Sequence, residues 1–505
     1  MVKGTHMRVT QKLLPKAGLV GVVVATAALV LSACAPQAST PDLTDSEAAG
    51  PAEITVGVIT SETGALAGYG KQYLDGFKAG LDYATDGTNE VDGTKIVIDY
   101  RDDAGDPDTA VGAAKELIGS GVTILAGSAS SGVAAAVAEQ AGQNKVLFIS
   151  GPAAADALTG INDYTFRSGR QTAQDVATAG TFLGDIEGKK ITVFAQNTAF
   201  GQGNVAAVEA ILGAKGATVD SVLVAEDVTE FTPFAQQVLA GSPDLVFVAW
   251  AGATSGAMWQ AMSQQGVFDA VPVVTGLGDA ATFGAYGEAS EQISFLNYYF
   301  PGAPDNAVNT AMVDAVEAAG GTPDLFTPDG FNAALMLVHA ISEGKGDVDA
   351  MIAALEGYTF DGPKGSLTVR AGDHALLQEM YQAKLVADGD TFTPELVETV
   401  PADEVEPAEV QKPDEHPSPV RAQDRRPRPA DRRRDHPQGC RPRHRARQSR
   451  RRDRAQRRRK DHAVQRDLRC RAAHGRPDPD ERRRHHPHVR PSAGAGGIGA
   501  HLPDI

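Results

Sequence analysis

The chain has 505 residues, 42% of them hydrophobic, and a formal net charge of −17, but that charge averages two unlike parts. Residues 411–505 hold 26 Arg and 2 Lys against 12 acidic residues, a net of +16, which leaves 19 basic and 52 acidic residues, a net of −33, elsewhere. The acidic part argues against a nucleic-acid partner. Its lack of cysteine between Cys34 and Cys440 excludes a disulfide scaffold, so about 350 residues must stand on hydrophobic cores, enough for two lobes.

Near the start, Arg8, Lys12 and Lys16 precede an apolar run at 19–30 and then Leu31-Ser32-Ala33-Cys34. This is the order of a charged region, an apolar region and a small-residue cleavage site, and the last four residues resemble a bacterial lipobox. The run falls short of the roughly 20 apolar residues that a membrane span needs. Residues 1–33 are therefore expected to be a signal peptide, starting at Met1 or Met7, with Cys34 the lipidation site. Two or more acyl chains hold a protein durably on a bilayer, so the expected location is the extracytoplasmic face of the cell membrane. Residues 34–52, rich in Pro, Ala, Ser and Thr, read as a tether reaching roughly 25 Å.

The body opens with apolar, β-branched runs at 54–59, 95–100, 122–126 and 146–150, separated by helical patterns at 70–83, 107–118 and 131–141. Asp106-Pro107-Asp108 starts the second helix with an N-cap, a proline at the first position and an acid facing the positive dipole end. The pattern then restarts. Strand runs at 190–195, 218–224, 245–250 and 271–275 alternate with helices at 203–212, 233–239 and 255–265. Two such arrays predict two doubly wound α/β (Rossmann-like) lobes, each a parallel sheet covered on both faces. Helices at 307–319, 329–343 and 349–355 and strands at 367–370 and 378–386 return the chain, so the lobes are joined by a multi-strand hinge. The expected boundaries are 53–168 with 299–368 for the N-terminal lobe and 169–298 with 369–400 for the C-terminal lobe. Residues 401–505 are read as a tail.

Catalytic constellations are scarce. The body holds two histidines: His339 in an apolar helix, expected to be structural, and His374 in a polar turn, expected to be solvated. No metal-ligand spacing, nucleophile elbow or cofactor motif stands out. Gly201-Gln202-Gly203-Asn204-Val205-Ala206 imitates a dinucleotide fingerprint, but five residues separate it from the strand where a tight turn is required. Loops at strand carboxyl ends remain, the usual ligand position in open α/β sheets. Three are rich in small residues: Gly127-Ser128-Ala129-Ser130-Ser131-Gly132, Ser150-Gly151-Pro152-Ala153-Ala154-Ala155 and Thr275-Gly276-Leu277-Gly278-Asp279. Such loops admit close helix–sheet packing, or an anion at exposed N–H groups; three in one body favour a cleft.

Four stretches, in order between 53 and 397, resemble the branched-chain amino-acid-binding family of ABC transporters, the type I periplasmic binding proteins. They are Thr63-Gly64-Ala65-Leu66-Ala67-Gly68-Tyr69-Gly70, Asp102-Asp103-Ala104-Gly105-Asp106-Pro107, Ala157-Leu158-Thr159 and Phe200-Gly201-Gln202-Gly203. The resemblance implies two lobes closing on a small ligand, with ABC permease and ATPase subunits as partners, no cofactor and no catalysis. It implies that Ser131, with the backbone of Ala129 and Ser130, takes the ligand carboxylate. Pro152, Ala153 and Ala154 would add backbone contacts, and Tyr69, Phe200 and Trp250 would wall the pocket. Where amino-acid binders hold the ammonium with threonine and glutamate, this chain has Ala154 and Leu277. An unpaired buried ammonium is costly. A small apolar carboxylate or amide is therefore expected, with a branched-chain amino acid open if Asp279 restores a counter-charge. A monomer is expected. A ligand-sensing receptor of the same fold, or an exported α/β enzyme, are the alternatives.

The tail at 411–505 has no aromatic residue for stacking on nucleic-acid bases. Residues 453–465 can be back-translated so that a one-nucleotide shift spells Thr-Gly-Pro-Asn-Gly-Ala-Gly-Lys-Thr-Thr-Leu-Phe-Asn, a phosphate-cradling P-loop. The same shift at 496–504 permits Ala-Gly-Leu-Gly-Arg-Thr-Phe-Gln, resembling the glutamine loop of transporter ATPases. The tail is read as out-of-frame translation of an ATPase partner's gene, expected to be disordered as polypeptide.

Overall fold

A computed structural model describes residues 52–412 apart from Asp390. The expected signal peptide, Cys34, most of the expected tether and residues 413–505 lie outside the described residues. No helix among the described residues is long and apolar enough to cross a membrane.

The first sheet contains β1 (Glu53–Thr60), β2 (Glu90–Val91), β3 (Thr94–Asp102), β4 (Ile124–Gly127), β5 (Leu147–Ser150) and β6 (Thr165–Arg167), in the order β2-β3-β1-β4-β5-β6. All neighbours are parallel except the β2–β3 hairpin. Helices Ala67–Ala84, Thr327–Gly344 and Val348–Leu355 bury Ile54, Val56 and Val58 on one face, and Pro107–Gly119 and Ser131–Asn144 cover Ile59 and Leu125 on the other. Each such side chain contributes roughly 1.5–3 kcal/mol when buried.

The second sheet begins with β7 (Lys190–Gln196), β8 (Thr218–Val224), β9 (Leu245–Ala249), β10 (Val273–Gly276) and β11 (Ile293–Asn297), all parallel. A small antiparallel sheet of β12 (Thr359–Gly362), β13 (Gly365–Val369) and β14 (Leu376–Leu377) packs Phe360, Leu367 and Leu376 into the first core. Then β15 (Met380–Asp388) and β16 (Thr391–Val400) complete the second sheet as antiparallel strands, order β16-β15-β11-β10-β9-β7-β8. The architecture is the expected pair of doubly wound α/β lobes. In each sheet the strand order reverses at one strand, β1 in the first and β7 in the second, and ligands bind open α/β sheets at such switch points.

The chain crosses between the sheets at 168–171, 298–306 and 378–379. The last crossing comes later than the expected 368, because β14 still pairs with β13. The expected tail also starts too early. Residues 401–412 run back onto the first lobe: Val405 is fully buried, Arg370 pairs with Glu406 at 3.0 Å, and the Val410 N–H donates to Asp373 at 3.0 Å. This segment covers the turn at 372–374, so His374 is buried and not solvated. Its ring stacks on Phe166 at 3.7 Å, with Nδ1 on the Thr165 carbonyl at 3.0 Å and Nε2 at 3.1 Å from Glu356. Burial pushes its pKa down. His339 is structural in its setting, bonded to the Ala354 carbonyl and stacked on Tyr358.

Helices Ala67–Ala84 and Thr327–Gly344 approach closely enough that backbone meets backbone. A Cβ at Gly76 would stand 1.8 Å from the Thr327 carbonyl oxygen, and one at Gly330 1.9 Å from that of Tyr73. Gly76→Ala is expected to cost about 1–3 kcal/mol or more through overpacking, read as a lower midpoint in urea. Gly112→Ala, in a solvent-facing helical position with no atom within 4 Å, is expected to leave that midpoint unchanged or slightly raised.

Candidate ligand-binding cleft

Loops from both switch points face one another. After β1 and β4 come Ala65, Leu66, Tyr69 and Ala129–Gly132; Gln196 ends β7, and after β7 and β9 come Thr198, Phe200 and Trp250. Between them is a cavity of about 250 Å³, small enough for one amino-acid-sized or benzoate-sized solute.

Acid side chains set the first-lobe loops. Asp103, fully buried, accepts from Ser61 Oγ and Ser128 Oγ at 2.6 Å each and from the Gly105 N–H at 2.8 Å. Asp102 accepts from the N–H groups of Glu62, Thr63 and Ala104. The acidic turn is thus a clamp joining three loops. Ser130 caps helix Ser131–Asn144 through the Val133 N–H at 3.5 Å, so the first N–H groups of that helix point towards the cavity, where its dipole favours negative charge. Ser131 Oγ accepts from the Ala155 N–H at 3.2 Å, and its own proton goes to no described residue.

Arg167 of β6, 1% exposed, donates to the carbonyls of Ala153 at 2.6 Å, Ala155 at 3.0 Å and Arg170 at 2.8 Å, shaping the loop after β5. In the second lobe, helix Ala199–Ile211 begins four residues earlier than its periodicity suggests, since Thr198 caps it through the Gly201 N–H at 3.2 Å. The glycine motif therefore lies inside the helix, and Gly201 is needed because a Cβ would stand 1.8 Å from the Gln196 carbonyl oxygen. Trp250, wedged against Phe194 and Phe231, donates from Nε1 to Thr254 at 3.0 Å.

Of the residues expected at the site, Tyr69, Ala129, Ser130, Ser131, Pro152, Ala154, Phe200, Trp250 and Leu277 line the cavity. Two do not. The Ala153 side chain is buried in the first-lobe core, its carbonyl bound by Arg167. Asp279 sits at the rim, accepting from Thr282 Oγ1 at 2.7 Å and Gln72 Nε2 at 3.4 Å. The cavity also includes residues that sequence reasoning missed: Gln196, Glu226, Phe326 and Tyr298, and an ion pair of Arg170 and Asp175.

The lobes touch across the mouth. The Ala253 N–H donates to the Ala65 carbonyl at 3.1 Å, the Gly252 N–H reaches the Tyr69 hydroxyl at 3.5 Å, and the Ala280 N–H donates to Asp324 at 3.0 Å. Gln72 bridges Asp279 and Asp324. This is a closed form.

With the fold and cleft in place, the model of the periplasmic binding protein family matches residues 53–390. The chain belongs to the periplasmic binding protein family. Over 309 residues it is 28% identical to Leu/Ile/Val-binding protein homolog 3 of Brucella melitensis, covering 59% of this chain and 81% of that protein. It is similar to an ABC-type branched-chain amino acid transporter protein from Rhodopseudomonas palustris, with 33% identity, TM-score 0.58, and 70% and 97% of the two chains covered. A solute binding protein of an ABC transporter from Rhodopseudomonas palustris HaA2, crystallised with p-hydroxybenzoic acid, shares the fold at 24% identity and TM-score 0.63, over 69% of this chain and 97% of that one.

In this binding protein the closing contacts carry a titratable group. Burial pushes the Asp324 carboxyl up to about 6, partly opposed by the Ala280 and Leu325 N–H groups and reinforced by Asp279. Opening returns it to water and a value near 4. Between about pH 4 and 6 the closed form binds more protons, so acidification through that window favours closure. The expected result is a smaller radius of gyration in X-ray scattering at pH 4.5 than at pH 7, a difference reduced in Asp324→Asn. A pH response identical in both proteins would refute the assignment to Asp324.

Proposed function

We propose that this protein is the lipid-anchored extracytoplasmic receptor of an ABC importer. It captures a small apolar carboxylate or amide, or a branched-chain amino acid, between its lobes and delivers it closed to the permease and its ATPase. The observation that carries this reading is the contrast within the cavity. Its walls are aromatic and aliphatic (Tyr69, Phe200, Trp250, Leu277, Phe326), while one corner holds the start of a helix with the Ser131 hydroxyl. Such a site suits a solute with an apolar body and one acidic end. Closure then follows from contacts that the solute makes with both lobes at once.

The carboxylates favour acid or amide over ammonium. Ala154 and Leu277 bring no side-chain oxygen, Asp279 is engaged at the rim, Asp175 is paired with Arg170, and Glu226 is exposed. Calorimetric titration is expected to show tighter binding of phenylacetate or a short-chain amide than of leucine; tight leucine binding without heat from either of the others would overturn the apolar carboxylate or amide and leave the branched-chain amino acid. Anchoring has its own test. Wild-type cells are expected to incorporate labelled palmitate into this protein, and Cys34→Ser to abolish it.

A further inference from the structure

The ion pair on the hinge side of the cleft is only half used. Arg170 and Asp175, 8% and 5% exposed, both line the cavity. Arg170 Nε donates to Asp175 Oδ1 at 3.2 Å, and one terminal nitrogen reaches the Pro152 carbonyl at 3.4 Å. The other terminal nitrogen, and Asp175 Oδ2, bond to no described residue. The guanidinium lies over the rings of Tyr298 and Phe326, its Cζ 5.3 and 5.4 Å from their centroids, which fixes its plane and limits water around it. Buried polar atoms are normally satisfied. Here a donor and an acceptor stand side by side at the cavity wall with hydrogen-bonding capacity left over.

We propose that this pair reads a neutral group that both accepts and donates a hydrogen bond, a hydroxyl or primary carboxamide, at the end of the solute away from its carboxylate. The inference rests on the cleft being the solute site. A second carboxylate would gain from Arg170 but face Asp175, and an ammonium would meet the reverse. A hydroxyl oxygen accepts from the free guanidinium nitrogen while its proton goes to Asp175 Oδ2, so both partners are satisfied and no net charge is buried. The loop after β5 separates the two polar corners: Ser131 holds it at Ala155 and Arg170 holds it at Pro152. One corner takes the acid, the other the hydroxyl.

The test is calorimetric titration of the full chain with benzoate, 4-hydroxybenzoate, 4-methoxybenzoate, terephthalate and leucine. The expected result is 4-hydroxybenzoate at least about tenfold tighter than benzoate or 4-methoxybenzoate, since a site built around a hydroxyl rejects analogues lacking its proton. In Asp175→Asn that preference is expected to fall below about threefold, because hydrogen bonds to a charged acceptor are roughly twice as strong as those to a neutral one. If the variant fails to fold, the wild-type ratio decides. Equal binding of the hydroxy and unsubstituted acids, tighter binding of terephthalate, or binding of leucine alone overturns the role of the pair and leaves the receptor reading standing. No heat from any probe, leucine included, removes the receptor reading itself.

Discussion

Two sheets that share no strand are joined by charges and rings buried where the chain passes between them. Each of the three crossings supplies a member: Arg170, Tyr298 and Gln378. Arg170 lies over Tyr298 and pairs with Asp175; the Tyr298 hydroxyl donates to Asp329; Lys364, fully buried, sits 3.9 Å from the Tyr298 ring and donates to Gln378 at 3.1 Å. Burial pushes Asp329 up and Lys364 down. Ions removed from water are costly, and removing one partner strands the other. The junction therefore tolerates little rearrangement, and the sheets can move chiefly as bodies about it.

Opposite this fixed edge the lobes meet through a few hydrogen bonds between loops: Ala253 on Ala65, Ala280 on Asp324, and Gln72 across both acids. A stiff hinge with a lightly latched mouth is a two-state element that a solute can bias by touching both walls. The loops themselves are braced where they line the cavity. Asp103 ties three of them together, and Arg167 ties the fourth to the first crossing through the carbonyls of Ala153, Ala155 and Arg170. Pre-organised loops on moving bodies reconcile selectivity with capture and release.

Much of the fold was legible because burial on both faces makes a parallel strand a continuous apolar run. The runs beginning at Ile54, Val122 and Val146 announced their strands in this way. What escaped was structure without an apolar pattern of its own, or covered by a distant segment. Strand β16 is largely exposed and is defined by pairing with β15. Helix Thr172–Phe182 has little apolar periodicity, and the Gln174 side chain, accepting from the Gln171 N–H, sets its start. His374 reads as solvated because the segment that covers it lies near residue 410.

The cleft divides the same way. Sequence alone determined the two-lobed α/β class and the small-residue loops at strand ends, since these follow from local periodicity and from what strand ends do in open sheets; Tyr69, Phe200, Trp250 and Leu277 were legible only through the family resemblance. Only the tertiary structure decided that Asp279 latches the rim, that Ala153 faces the core, and that Arg170 and Asp175 line the cavity. A charged side chain acquires its role from the groups packed around it, and those groups come from both lobes.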